Sequence, residues 1–246
     1  DAWNGRFHSC NKSLKSPKIT MDCMHMFHLF AKAAVIGVLV SGASFVQAET
    51  YSVQLGGRNL GTISYQGGAE ASLQSTLNNT PMGVFNGTFT ATSQQSAVGQ
   101  QYHSNSSSSR KSRQISVLIK DGRAIDTSVT PASEMTNLSN VGSVPVGVID
   151  PVAAFGRFVS ARGCPEAFRF YDGRRAILVS PERDSEVAGQ LVCKMNYRVS
   201  DGPGHLSPLY IKNITVFLTY DVIGGQSLRK VVLSAAGFDL NLMRQD

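Results

Sequence analysis

A chain of 246 residues, 42% of them hydrophobic and 16% charged, is long enough to bury a sizeable core. Its formal charge is +6, but counting from Glu49 onward there are 18 Lys+Arg against 15 Asp+Glu, 18 − 15 = +3, so half of the basic excess lies in the first 48 residues. A surplus that small gives no case for nucleic acid as a partner.

Asp1–Thr20 carries Arg6, Lys12, Lys15, Lys18 and the only tryptophan, Trp3, with no apolar periodicity. Residues 1–20 are therefore expected to be a non-native or mis-annotated extension. From Met21 a polar stretch ends at Lys32 and gives way to Ala33-Ala34-Val35-Ile36-Gly37-Val38-Leu39-Val40, then to small residues closing in Val46-Gln47-Ala48. A charged start, a moderate apolar core and small residues at positions −3 and −1 predict a signal peptide over 21–48, cleaved after Ala48. A membrane anchor needs about 20 consecutive apolar residues, and this run is broken by Ser41, Gly42 and Ser44. No cysteine follows the small residues, which argues against a lipid-modified N-terminus. Residues 49–246 are expected to form one exported, periplasmic β domain without a membrane span. Cys10 and Cys23 leave with the N-terminus, and in an oxidising compartment Cys164 and Cys193 predict one disulfide, a brace across the Tyr171-Asp172-Gly173-Arg174 hairpin that lies between them.

Strand signals dominate the mature segment. Tyr51, Val53 and Leu55 alternate with polar residues, Gly56-Gly57 marks a turn, and Thr62–Tyr65 alternates again, which predicts an opening hairpin. Further strands are expected at 69–77 and 84–93. Ser104–Arg113, with four consecutive serines before Arg110-Lys111, reads as a low-complexity basic loop that contacts anionic headgroups or an acidic partner. Asp121-Gly122, between Ile115–Ile119 and Ile125–Val129, signals a two-residue hairpin. Thr130–Gly147 is a long connection. Asp150-Pro151 then opens the one convincing helix: Asp150 caps the free amides, Pro151 suits the first helical position, and Val152, Phe155 and Val159 form an apolar stripe ending near Arg162-Gly163. A second hairpin is expected around Asp172-Gly173, the cysteine-bearing strand at 191–199, a Gly/Pro turn region at 201–208, and three last strands at 210–221, 228–235 and 237–243. Some ten strands and one short helix predict a mainly β fold, a curved antiparallel sheet or open β-barrel with the helix covering or filling its mouth.

The chemistry is sparse. His103 and His205 have no neighbouring His, Cys, Asp or Glu at metal-ligand spacing, so neither metal nor cofactor is expected and both rings read as solvated. Ser108 and Lys111 spell the S-x-x-K spacing of some hydrolases, but that pairing needs a helix which this composition does not predict. Arg174 and Arg175 are expected on a strand, pointing to opposite faces and so unable to clamp one anion, with one of them paired to Asp150 or Glu166. Asp172-Gly173-Arg174-Arg175 and Asp121-Gly122-Arg123 read as shared turn chemistry.

Asp150-Pro151 with its small-apolar helix, Cys164, Tyr171-Asp172-Gly173-Arg174-Arg175 and Cys193-x-x-x-Tyr197-Arg198 occur in an order that resembles the bacterial family called Domain of Unknown Function 3108. The opening Tyr51-Ser52-Val53-Gln54-Leu55-Gly56-Gly57 and the central Lys120-Asp121-Gly122 are similar too. The chain departs at Ala176-Ile177-Leu178, where family members often continue with more polar and aromatic residues. The resemblance covers nearly all of 50–244 and implies an exported Gram-negative protein with no assigned reaction. Together these readings predict a non-enzymatic envelope protein binding an apolar or lipid-like ligand. The alternative is a scaffold binding another envelope protein, and a hydrolase near His205 stands third.

Overall fold

Polar-apolar alternation resolves into fourteen strands of one sheet in the computed structural model, which describes residues 48–80, 86–109, 111–205, 209–223 and 225–246. The expected extension and residues 21–47 of the expected signal peptide lie outside the described residues. The first half of the sheet comprises β1 (Glu49–Leu55), β2 (Arg58–Gln66), β3 (Glu70–Leu77), β4 (Gly87–Gln95), β5 (Gln100–Ser108), β6 (Ser112–Lys120) and β7 (Arg123–Thr130). A connection bearing three single 3-10 turns leads to β8 (Val148–Ile149) and helix α1 (Pro151–Val159). Then come β9 (Phe168–Tyr171), β10 (Ala176–Val187), β11 (Gln190–Asp201), β12 (Asn213–Asp221), β13 (Ser227–Ala235) and β14 (Phe238–Arg244). The spatial order is β7-β6-β5-β4-β3-β2-β1-β14-β13-β12-β11-β10-β9-β8. All pairings are antiparallel except β8 with β9. The sheet is thus two meanders joined where β1 pairs with β14, and it curves into a nearly closed barrel.

Alternation assigns the faces. On β6, Ile115, Val117 and Ile119 are buried while Ser112, Gln114 and Lys120 are exposed, and on β12 the inward set is Val216, Leu218 and Tyr220. The concave face is filled. α1 lies across it, touching β3 and β4 on one side and β9 and β13 on the other. Its Phe155 packs edge-on to Tyr51 at 5.9 Å between centroids and against Tyr65 at 5.4 Å, and the Tyr220 hydroxyl donates to the Phe158 carbonyl (2.9 Å). Each fully buried side chain of this size stabilises by roughly 1.5–3 kcal/mol. The helix starts for the local reason its sequence gives. The buried Asp150 accepts from the amides of Val152 (2.8 Å) and Ala153 (2.9 Å), and Pro151 occupies the first turn. It stops at Val159, short of the expected Arg162-Gly163, with Ser160 as C-cap.

Two Asp-Gly turns close the barrel. At the β6–β7 turn the Gly122 carbonyl accepts from the amides of Gly147 (2.8 Å) and Val148 (3.0 Å), docking the turn onto the β8 edge. The β9–β10 turn runs the other way, pressing Gly173 against Ile115 and Val117 of β6. Its walls are held by the 3-10 connection: the Tyr171 hydroxyl donates to the Leu138 carbonyl (2.5 Å), Ser139 to the Gly173 carbonyl (3.1 Å) and Thr136 to the Arg174 carbonyl (2.7 Å).

Several expectations need correction. Ser104–Arg113 is no loop: Ser104–Ser108 belong to β5, and Ser112 and Arg113 to β6. Hydroxyl residues carry the pattern there, Tyr102 and Ser104 inward and His103 and Asn105 outward, so an apolar scale does not see it. The second hairpin turns over four residues, not two, with the Asp172 amide donating to the Arg175 carbonyl (3.2 Å), so Arg174 and Arg175 lie in the turn and not on a strand. Cys164 and Cys193 are joined as a disulfide with Cα atoms 5.5 Å apart. Cys193 stands opposite Asp184 in the β10–β11 ladder, away from the 172–175 turn beside Ala176 and Asp201. The bridge therefore ties the α1–β9 connection to β11 and does not brace the hairpin tip.

Candidate binding site at the barrel mouth

The inward face of β3–β6 changes character toward the β5–β6 turn. Strand register places Ser75, Phe89, Ser106 and Arg113 in one row across the four strands. Nearer the rim Leu77 stands opposite Gly87, and Gly87 opposite Ser108, with Lys111 in the turn beyond. These residues line an open cleft of about 300 Å³. One wall is apolar (Leu77, Phe89), the other cationic (Lys111, Arg113), and hydroxyls lie between them. A Cβ at Gly87 would stand 2.3 Å from the Ser107 carbonyl oxygen, so a side chain there would force the wall apart.

Behind the cationic wall lies a buried carboxylate. Glu134, from the 3-10 turn Ala132–Glu134, pairs with Lys111 Nζ (2.8 Å), with Arg113 Nη2 in a very short contact, and with Arg174 Nη2 (3.1 Å). The Arg174 Nε also donates to the Glu134 carbonyl (2.5 Å). These cations, Lys111 first, pull the Glu134 carboxyl down to about 2 against the cost of burial. Burial and the neighbouring Arg113 and Arg175 push the Arg174 guanidinium below its ordinary value. Three cations surround one anion, so the cluster carries a local surplus of two positive charges.

The adjoining arginine serves a different network. Asp172 Oδ1 accepts from the amides of Arg174 (2.9 Å) and Arg175 (2.8 Å), and its Oδ2 lies 2.9 Å from Arg175 Nε, an ion pair too poorly aligned to count as a hydrogen bond. Arg175 Nη1 reaches His205 Nδ1 (2.6 Å), and His205 Nε2 lies 2.7 Å from the Tyr197 hydroxyl. A guanidinium can only donate, so Nδ1 accepts and the proton sits on Nε2. Desolvation, then the Arg175 charge, lowers His205 to about 4, so the ring is neutral at neutral pH.

Arg174 and Arg175 do go to different partners, but neither pairs with Asp150 or Glu166: Glu134 and Asp172 take them instead. His205 is not solvated. With both ring nitrogens engaged by Arg175 and Tyr197, it activates no serine. Nor do Ser108 and Lys111 form a nucleophile and base, because the Ser108 hydroxyl meets the Lys111 backbone while Nζ goes to Glu134. Arg110 lies outside the described residues. Lys111 and Arg113 of the expected interaction segment line the cleft. Asp150 sits elsewhere, taking a hydrogen bond from Ser93 (2.6 Å), its carboxyl raised chiefly by burial. Among the described residues no group of three or more His, Cys, Asp or Glu could hold a metal ion. Reasoning about charge pairs from the sequence does not single out Glu134, yet one signal exists: Arg113 shares the parity of Ile115, Val117 and Ile119, and a cation on the buried face of a strand requires a partner.

Compared with described protein families and with curated proteins, the chain matches none. Among solved structures it is similar to a β-barrel-like protein of Domain of Unknown Function DUF1849 from Brucella abortus, with 10% identity, a TM-score of 0.40, and coverage of 81% of this chain and 95% of that one.

Proposed function

We propose that this chain is an exported, non-catalytic protein of the bacterial cell envelope, belonging with the unknown-function family that its motifs resemble, and that it binds a lipid-like ligand at the mouth cleft. The observation that carries the reading is the cleft itself, lined on one side by Leu77 and Phe89 and on the other by Lys111 and Arg113, with the serine hydroxyls of β5 between them. An amphipathic molecule satisfies both walls; a purely polar or purely apolar one leaves one of them unmatched. The volume sets the mode. About 300 Å³ is the lower end for small-molecule pockets, and α1 and the 172–175 turn occupy the space behind it. The ligand therefore enters by one end and is not engulfed. The signal-peptide pattern before Glu49 and the Cys164–Cys193 disulfide both support an oxidising, exported address.

Native mass spectrometry of the chain purified from its producing cells tests this. The expected result is a co-purifying amphiphile that is lost in Phe89→Ser. A ligand-free spectrum, with no uptake of added detergent monomers, overturns the reading.

One observation favours the scaffold alternative. β9 pairs only with Ala176–Val179 of β10, so from Glu182 to Val187 the outer edge of β10 has no strand beside it among the described residues. The charges of Glu182, Arg183, Asp184 and Glu186 along this edge oppose casual strand addition. A stoichiometric partner recovered from envelope extracts, and lost when this edge carries a proline, would favour it over the lipid reading.

A further inference from the structure

We infer that the mouth selects amphiphiles with an oxyanion head, which Arg113 and Lys111 bind while Phe89 and Leu77 take the first carbons of the chain. This rests on the binding reading above and adds the head-group chemistry and its residues.

The argument starts from surplus charge. A buried carboxylate needs one cation for neutrality, and Glu134 has three. Each of the three helps to hold the carboxylate, but cations packed side by side repel, and the second and third bring positive charge beyond what neutrality needs. The surplus is also unevenly placed. Arg174 is not among the residues that line the cleft, its Nε being held by the Glu134 carbonyl and its Nη2 by the carboxylate. Arg113 and Lys111 line the cleft. Arg113 gives Nη2 to Glu134, and its buried Nε has no hydrogen-bond partner among the described residues, so the guanidinium's donors are not used up by the fold. Lys111 is 66% exposed at its side chain and gives one of its three donors to Glu134. Beside Arg113 in register stands the Ser106 hydroxyl, a further donor for an oxyanion. Glu134 acts as a positioning residue: it holds both cations at the wall, so a ligand does not bear the entropy of ordering two long side chains.

The open side of the cleft decides between a bare anion and a headgroup. Phe89 belongs to the same row as Ser106 and Arg113, and Leu77 lies one row nearer the rim. An inorganic ion would leave both apolar surfaces wet, whereas an alkyl chain on the head covers them. Each methylene so covered adds to affinity through the apolar area it removes from water.

The test titrates the full chain calorimetrically with monododecyl phosphate, with dodecyl maltoside (the same tail on a neutral head) and with inorganic phosphate, all below micelle formation. The expected result is a preference of about tenfold for the dodecyl phosphate, eroded by high salt. Lys111→Gln and Arg113→Gln should each lose that preference while still binding the maltoside, and Phe89→Ser should weaken both amphiphiles. Thermal melts control for folding, and where Arg113→Gln does not fold, the exposed Lys111→Gln carries the test. Equal affinity for both amphiphiles overturns the head-group inference and leaves the lipid reading standing. So does a phosphate preference undiminished in the folded variants. Binding of inorganic phosphate alone, or of nothing, overturns both.

Discussion

Asp-Gly-Arg occurs at two turns of this barrel and folds differently in each. At 121–123 it makes a two-residue turn with both central residues at positive φ, Asp121 at 50° and Gly122 at 72°, matching the twist of β6 and β7. At 172–175 one more arginine stands before the next strand, and only Gly173 (φ 91°) has positive φ. There Asp172 uses its carboxylate to cap the amides of Arg174 and Arg175. The first turn is a hairpin that also touches an edge. The second is a plug, fixed by side-chain bonds to its walls, by the Arg174–Glu134 ion pair and by the hydrogen bond from Arg175 to His205. Identical tripeptides thus acquire their roles from strand length and from what lies opposite, which local chemistry does not encode.

Glycine substitution breaks that comparison hardest. A Cβ at Gly173 would stand 2.4 Å from Ile115 Cγ2, in a left-handed backbone. Gly173→Ala should therefore cost about 3 kcal/mol or more, about 10 °C in Tm for a domain of this size. At Gly122 the nearest atom would be Gly147 Cα at 3.2 Å, so Gly122→Ala should lose about 1–2 kcal/mol, mainly backbone strain. Denaturant titration of the two variants measures the difference, and equal losses would show that the plug is not specially packed.

The disulfide tests whether the plug depends on the brace. Closing 29 residues is worth about 3–4 kcal/mol on the chain-entropy model, so the Cys164→Ala/Cys193→Ala variant should fall by roughly that much. Because the bridge sits away from the turn, its loss should add to that of Gly173→Ala within about 0.5 kcal/mol. A strongly non-additive double variant would mean that bridge and plug act as one unit.

Legibility followed range. The α1 cap and the 121–122 turn were readable because each is settled within four residues. The mainly β, barrel-like class was readable from alternation, though two of the fourteen strands were not: β5, which hides its pattern in serine, asparagine and histidine, and the two-residue β8. The plug was misread because a two-residue and a four-residue turn share the same first three residues. The Glu134 cluster joins residues 21 to 40 positions apart, and the His205 contact depends on a strap returning beside Arg175; neither has a local signature.

Acid should dissect the two carboxylate-and-arginine networks around the plug. The His205 ring has its pKa lowered from 6.5 to about 4, so between those values the unfolded chain binds a proton that the folded one refuses. Stability should fall as pH drops through that window, and His205→Gln should flatten the slope. Glu134 is lowered from 4.5 to about 2, so its contribution is complete above 4.5 and is lost as pH falls toward 2. Glu134→Gln should remove that lower limb alone. Urea midpoints taken across both windows separate the two groups, and a limb that persists in its own variant would sink the assignment.

The smallest effect belongs to the first turn and isolates what makes it ordinary. No hydrogen bond or ion pair described for this structure engages the Asp121 side chain, so its place depends on tolerating φ 50°. Asparagine tolerates that region at least as well, and Asp121→Asn should shift stability by no more than about 0.5 kcal/mol. Asp172→Asn makes the same chemical change where a carboxylate caps two amides and faces Arg175, so it should cost clearly more. Chemical denaturation of this pair compares two turns under one substitution. If both variants prove neutral, the charge of Asp172 is irrelevant to the plug, and the Arg175–His205 contact alone would have to hold that side of the turn.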